Sequence, residues 1–149
     1  MAPKPATLCT IGYEDLTMDA FIAHLKKARV RVLIDVRAVP LSRKPGFSKN
    51  KLAGFLTEQG IDYVGLRGLG TPAEGRAAAR KGQTAVMKKI FLKHLTTMEA
   101  MHDMQAAVNI ATTVKSCLLC YEREAACCHR MIVAEKIHKK TGLKLEHLR

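Results

Sequence analysis

The chain reads as an α/β protein, a three-layer sandwich with a mainly parallel sheet of about five strands and helices on both faces. Three observations carry this. Short apolar segments alternate with amphipathic ones along the whole length. Val30 to Val36 is rich in β-branched residues and alternates little, the mark of a strand buried on both faces. Hydrophobic residues make up 48% of the chain while aromatics make up 5% and Trp is absent, so the core is aliphatic. At 149 residues a single domain over 1–149 is expected, with the proline-bearing residues 1–5 loose.

The elements follow in order. Ala6 to Ile11 is an apolar strand ending at Gly12. Thr17 to Ala28 has helical spacing at Met18, Phe21, Ile22 and Leu25, with Thr17 as N-cap. After the strand Val30 to Val36, Pro40, Pro45 and Gly46 enforce a loop. Ser48 caps a helix through Gln59 whose inner face is Leu52, Phe55 and Leu56, and Gly60 stops it. Ile61 to Leu66 is the third strand. Gly68 to Gly82 reads as a long loop or an irregular short helix, with turns needing positive φ at Gly68 and Gly70. Thr84 to Leu95 is helical through Met87, Phe91 and Leu95. Thr97 caps a helix through Ile110 with Met98, Met101 and Val108 inward. Val114 to Tyr121 is the fourth strand, Cys128 to Lys140 a helix stopped near Gly142, and Leu143 to Leu148 the last strand.

No apolar run approaches the ~18 to 20 residues of a membrane span, so no membrane partner is expected. The first ten residues lack the apolar stretch of a secretory signal. Five cysteines, two of them adjacent, fit reduced thiols in a cytoplasmic protein better than a disulfide framework. The net charge of +12 attracts phosphates, nucleotides or nucleic acid. The positives are spread in pairs such as Lys26-Lys27, Arg80-Lys81 and Lys88-Lys89, which favours a broad basic surface over a basic tail.

The densest chemistry lies in Cys120-Tyr-Glu-Arg-Glu-Ala-Ala-Cys-Cys-His-Arg130, where a strand gives way to a helix. In a parallel sheet that is where ligands bind. Cys120 is either a nucleophile activated by a nearby cation or a small buried hydrophobe. His129 is either an acid/base group or a lock for the loop. Glu122 either orients His129 or caps the following helix. The spacing Cys-x7-Cys-His is no recognised zinc knuckle, and neighbouring residues on a helix diverge by about 100°. No metal and no cofactor is therefore assigned.

Gly12, Asp35, Arg37 and Cys120 all fall at or just beyond strand ends, so they can meet on one sheet edge. Asp35 is a general base, a metal ligand, or the partner of Arg37 or Arg43. Arg37, Arg43 and Arg130 are candidate anion ligands, because guanidinium binds phosphate and carboxylate through paired hydrogen bonds. Ser42 adds a hydroxyl donor. The stretch Gly65 to Gly70 matches neither nucleotide-loop fingerprint.

Taken together, several motifs resemble a mostly bacterial family called domain of unknown function 488. They are Thr10-Ile-Gly-Tyr-Glu14, Ile34-Asp-Val-Arg37 with Pro40, Ser42 and Arg43, Pro45-Gly-Phe47, Gly60-Ile-Asp-Tyr63, Leu69-Gly70, Leu119-Cys-Tyr-Glu122 and Cys128-His-Arg130. The resemblance covers nearly the whole chain. It implies an α/β sandwich with these motifs on one site, and it supplies no reaction. The chain departs from the family's pattern at Glu124-Ala125, where an Asp-Pro pair is common, and at Cys127, which looks additional.

The site expected is a basic cleft. Gly12, Tyr13, Arg37, Ser42, Arg43 and Arg130 bind an anionic ligand there, and Cys120, Glu122, His129 and Asp35 are its reactive groups. The ligand is an anionic small molecule or nucleic acid. The rival readings are a nucleic-acid-binding module without catalysis, and a thiol redox or sulfur-transfer protein using Cys120 and Cys128. Oligomeric state is not legible in the sequence.

Overall fold

A computed structural model describes residues 4–125 and 128–149. Five strands, β1 (Thr7–Gly12), β2 (Val32–Asp35), β3 (Asp62–Gly65), β4 (Ser116–Cys120) and β5 (Lys144–Leu148), form one sheet in the order β3-β2-β4-β1-β5. Every pairing is parallel. The helices are α1 (Met18–Lys27), α2 (Lys49–Glu58), α3 (Ala73–Arg80), α4 (Thr84–His94), α5 (Met98–Thr113) and α6 (His129–Thr141). No helix among the described residues is long and apolar enough to cross a membrane.

The strand order decides which face each helix covers. From β1 to β3 the connections step toward one edge, and from β3 to β5 they step back toward the other. Right-handed crossovers therefore put α1 and α2 on one face and α3 to α6 on the opposite face. The buried side chains separate the same way. Phe21, Leu25, Leu52 and Leu56 pack on Cys9, Ile11, Leu33, Cys117 and Leu119. Ala78, Met87, Phe91, Met104, Ala107, Val133 and Ile137 pack on Leu8, Val32, Ile34 and Leu118. Because β1 and β2 turn to one face while their shared neighbour β4 turns to the other, a crevice opens at the carboxyl ends of these three strands.

Local signals behave as read at most boundaries. Thr17 and Thr97 accept hydrogen bonds from Ala20 N and Ala100 N, 3.1 and 3.2 Å. Gly142 closes α6 in the left-handed conformation, φ 77°. Of the two readings of Gly68 to Gly82, loop or short helix, the structure has the helix: a short 3-10 turn (Arg67–Leu69) leads into the regular helix α3. Three local expectations are corrected. Gly68 and Gly70 are not at positive φ. They are needed for space, since a Cβ at Gly70 would lie 2.2 Å from Ala38 N and one at Gly68 2.5 Å from Asp103 Oδ2. The inner face of α5 is Ala100, Met104, Ala107 and Ala111, with Met98 and Met101 exposed, so the small residues let this helix approach the sheet. Phe55 also faces outward, because Leu52 and Leu56 already fill the inner face of α2.

Candidate functional site

Beneath the crevice lies a charge network. The carboxylate of Asp35, at the end of β2, accepts from Arg37 N at 3.0 Å, Arg37 Nε at 2.9 Å and Arg37 Nη2 at 2.7 Å. Tyr63 donates its hydroxyl to Asp35 Oδ2 at 2.5 Å. Arg37 Nη1 completes its bonding at Phe47 O, 2.7 Å, and Tyr13 Oη, 3.2 Å. Both partners are buried, Asp35 almost wholly. Burial alone lowers the Arg37 pKa, but the bonds to Asp35 outweigh it and the net shift is upward. Burial and the same carboxylate push the Tyr63 phenol up. Asp35 thus spends both oxygens on structure. Arg37 reaches the cleft with a guanidinium already neutralised.

The loop between β4 and α6 is held against the end of β1. Glu14 N donates to Tyr121 O at 2.9 Å, and Arg123 N donates to Glu14 Oε1 at 3.1 Å. Gly12 is required by contact: a Cβ there would fall 1.7 Å from Glu122 O and 2.8 Å from Arg130 Nη1. Arg130, on the first turn of α6, is wholly buried. Its guanidinium donates to Glu122 O, to Arg123 O and to Cys120 Sγ, the last at 3.0 Å. No carboxylate lies within ion-pair distance of it among the described residues, and burial lowers its pKa. A buried cation without a carboxylate is costly, and among the described residues the one side-chain acceptor of Arg130's guanidinium is Cys120 Sγ.

Three further groups gather around that sulfur. The Sγ atoms of Cys120 and Cys128 are at bonding distance, and their Cα atoms are 7.6 Å apart. Cys128 is the N-cap of α6, and its sulfur accepts from Arg130 N at 3.5 Å. His129 Nδ1 is 3.6 Å from Cys128 Sγ, and His129 Nε2 is 2.8 Å from Val36 O. The carbonyl can only accept, so Nε2 carries the proton and Nδ1 presents its lone pair to the sulfurs. Burial holds the His129 pKa down to about 4. Glu122 Oε2 is 3.5 Å from Cys120 Sγ, and burial raises the Glu122 pKa. Glu122 does not cap α6. Cys127 lies outside the described residues.

Above this cluster is a cleft of about 550 Å³. Of the residues read from the sequence, Tyr13, Arg37, Ser42, Arg43, Cys120, Glu122 and His129 line it. Gly12, Asp35 and Arg130 lie beneath it: the first makes room, the second holds Arg37, and the third holds the loop and Cys120. Ser42 Oγ accepts from Lys44 N at 3.1 Å, leaving its proton free to donate.

Sequence reasoning missed the opposite wall, Thr71, Arg76, Arg80 and Met87, together with Tyr121 at the rim. The signal was present. Ala73-Glu-Gly-Arg-Ala-Ala-Ala-Arg80 is dense in the best helix former, and Arg76 and Arg80 stand four apart on one face. Arg76 donates to Thr71 O at 2.9 Å. Arg43, Arg76 and Arg80 have no carboxylate partner among the described residues.

A family model described as Domain of unknown function DUF488 matches residues 17–137. No curated protein and no solved structure matches the chain significantly.

Proposed function

Because the chain belongs to the DUF488 family, defined by sequence rather than by reaction, its chemistry rests on its own residues, and we propose that it binds a phosphate- or nucleotide-like anion over a reactive thiol–imidazole cluster. One observation carries this reading. Arg43 from the β2–α2 loop and Arg76 and Arg80 from α3 line one cleft without carboxylate partners among the described residues, and Cys120 and His129 line the same cleft. Guanidinium groups left without counterions suit a multidentate oxyanion. Ser42 and Thr71 add hydroxyls, and Tyr121 offers an exposed ring at the rim for a base or other flat group. Arg37 contributes shape and one guanidinium edge rather than free charge. Cys120, Glu122 and His129 act on the ligand or orient it.

The test is equilibrium binding of inorganic pyrophosphate by titration calorimetry. The double variant Arg76→Gln/Arg80→Gln is expected to lose affinity by at least about tenfold, each lost charge-assisted contact being worth on the order of 1.5 kcal/mol. Both side chains are at least partly accessible, so the fold is retained. Equal affinity in the variant and the parent chain would sink the reading.

A second reading is favoured by the contact between Cys120 Sγ and Cys128 Sγ. Here the pair acts by thiol–disulfide exchange: two electrons and two protons pass to a partner disulfide as the two cysteines join. A thiol count on the denatured chain separates the two. Two thiols fewer than the five cysteines in protein purified without reductant would mark the bridge.

A further inference from the structure

We propose that Cys120, Cys128 and His129 form a transition-metal site suited to Zn2+, with Glu122 as a fourth ligand on the cleft side. This gives the groups that the anion reading places beneath its ligand the role of metal ligands in place of free reactive groups, and it leaves the arginine walls of the cleft unchanged.

The donor set is the first argument. One ligand atom from each of the three residues lies within 4.8 Å of the other two. Two thiolates, a neutral imidazole and a carboxylate are the ligand types of Zn2+. Distances are the second. Zn–S bonds of ~2.3 Å and Zn–N or Zn–O bonds of ~2.0–2.2 Å at tetrahedral angles put sulfur about 3.6 Å from a nitrogen or oxygen ligand. Cys128 Sγ to His129 Nδ1 is 3.6 Å, and Cys120 Sγ to Glu122 Oε2 is 3.5 Å. The two sulfurs must part to about 3.8 Å to share a tetrahedral ion. The Cα separation of 7.6 Å leaves room for that.

The supporting shell is the third argument. His129 gives its outer ring N–H to Val36 O, the usual way a ligating imidazole is oriented, which leaves Nδ1 for the metal. The sulfurs are served as thiolates are: Cys120 by Arg130 Nη1 and Cys128 by Arg130 N at the start of α6. The charges also balance. Two thiolates and one carboxylate are matched by one divalent ion and one buried guanidinium. Adjacent residues can both ligate because Cys128 is not helical: its φ of −124° and ψ of 147° turn its side chain out of the helical progression that would splay it from His129. The divergence of about 100° between neighbours holds only where both are helical, and Cys128 is extended.

Elemental analysis of the full chain, purified without chelator and reduced with a phosphine, is expected to find roughly one zinc per chain. Replacement by Co2+ should give sulfur-to-cobalt charge-transfer absorption with the strong visible bands of a tetrahedral ion. Cys128→Ser and His129→Ala should each weaken Co2+ binding by at least about tenfold. The parent chain needs no variant to decide the matter. If the reduced, folded chain takes up neither Zn2+ nor Co2+, the site does not exist. Cobalt bands without sulfur charge transfer, or bands that survive Cys128→Ser, would place the ion elsewhere. Arg76→Gln/Arg80→Gln should keep its metal whether or not it binds pyrophosphate, and loss of the metal there would contradict the separation of the two sites.

Discussion

Asp35→Ala is expected to destabilise the chain by about 3–5 kcal/mol, the usual cost of leaving one half of a buried ion pair uncompensated. The reason is local. Arg37 is 6% exposed and carries a full charge, and Asp35 accepts from three of its nitrogens. Without the carboxylate the cation keeps only Phe47 O and Tyr13 Oη. In a domain of this size the melting temperature should fall by roughly 10 °C. The network couples three strands, because Tyr63 within β3 donates to the same carboxylate and Tyr13 follows β1. Combining Asp35→Ala with Arg37→Met should therefore cost less than the two single changes added together. Strict additivity, or a loss below about 1 kcal/mol for Asp35→Ala, would mean that the pair does not hold the sheet edge.

Gly12→Ala should be nearly as damaging and should strike the site itself. The new methyl would sit 1.7 Å from Glu122 O, a backbone atom that cannot swing aside. Forced overpacking costs about 1–3 kcal/mol, and a rigid neighbour puts this case at the upper end. The loop would have to lift, breaking Glu14 N to Tyr121 O and moving the carbonyls that hold Arg130. Cys120 then loses its guanidinium contact. Thermal melting and titration calorimetry with pyrophosphate should both register the change. A stable Gly12→Ala chain with unaltered binding would show that the loop does not depend on this close approach.

Much of this architecture is legible in the residues. The continuous apolar strands Leu8 to Ile11, Val32 to Ile34 and Cys117 to Leu119 announce a sheet covered on both faces. Strand-to-helix junctions then locate the carboxyl edge. Caps such as Thr17 and Gly142 are visible because their chemistry is local. The misses have a common origin in long-range packing. Gly68 and Gly70 look like turn glycines, yet they answer to Asp103 and Ala38, which are distant in sequence. Met98 and Met101 look like a buried stripe, yet the sheet accepts the alanine face of α5 instead. Asp35 reads as a catalytic candidate until Arg37 and Tyr63 are seen to consume both its oxygens. Arg130 reads as an anion ligand, and its total burial turns it toward Cys120. Only the fold could bring α3 and its two arginines over the cleft.

Crystals of the chain soaked in tungstate would test the anion cleft most directly, because the heavy oxyanion is located by its anomalous scattering. The strongest site should lie between Arg43 and the Arg76–Arg80 face of α3, above Cys120 and His129, and it should vanish in Arg76→Gln/Arg80→Gln. Tungstate confined to the surface lysine pairs, with none in the cleft, would contradict the account.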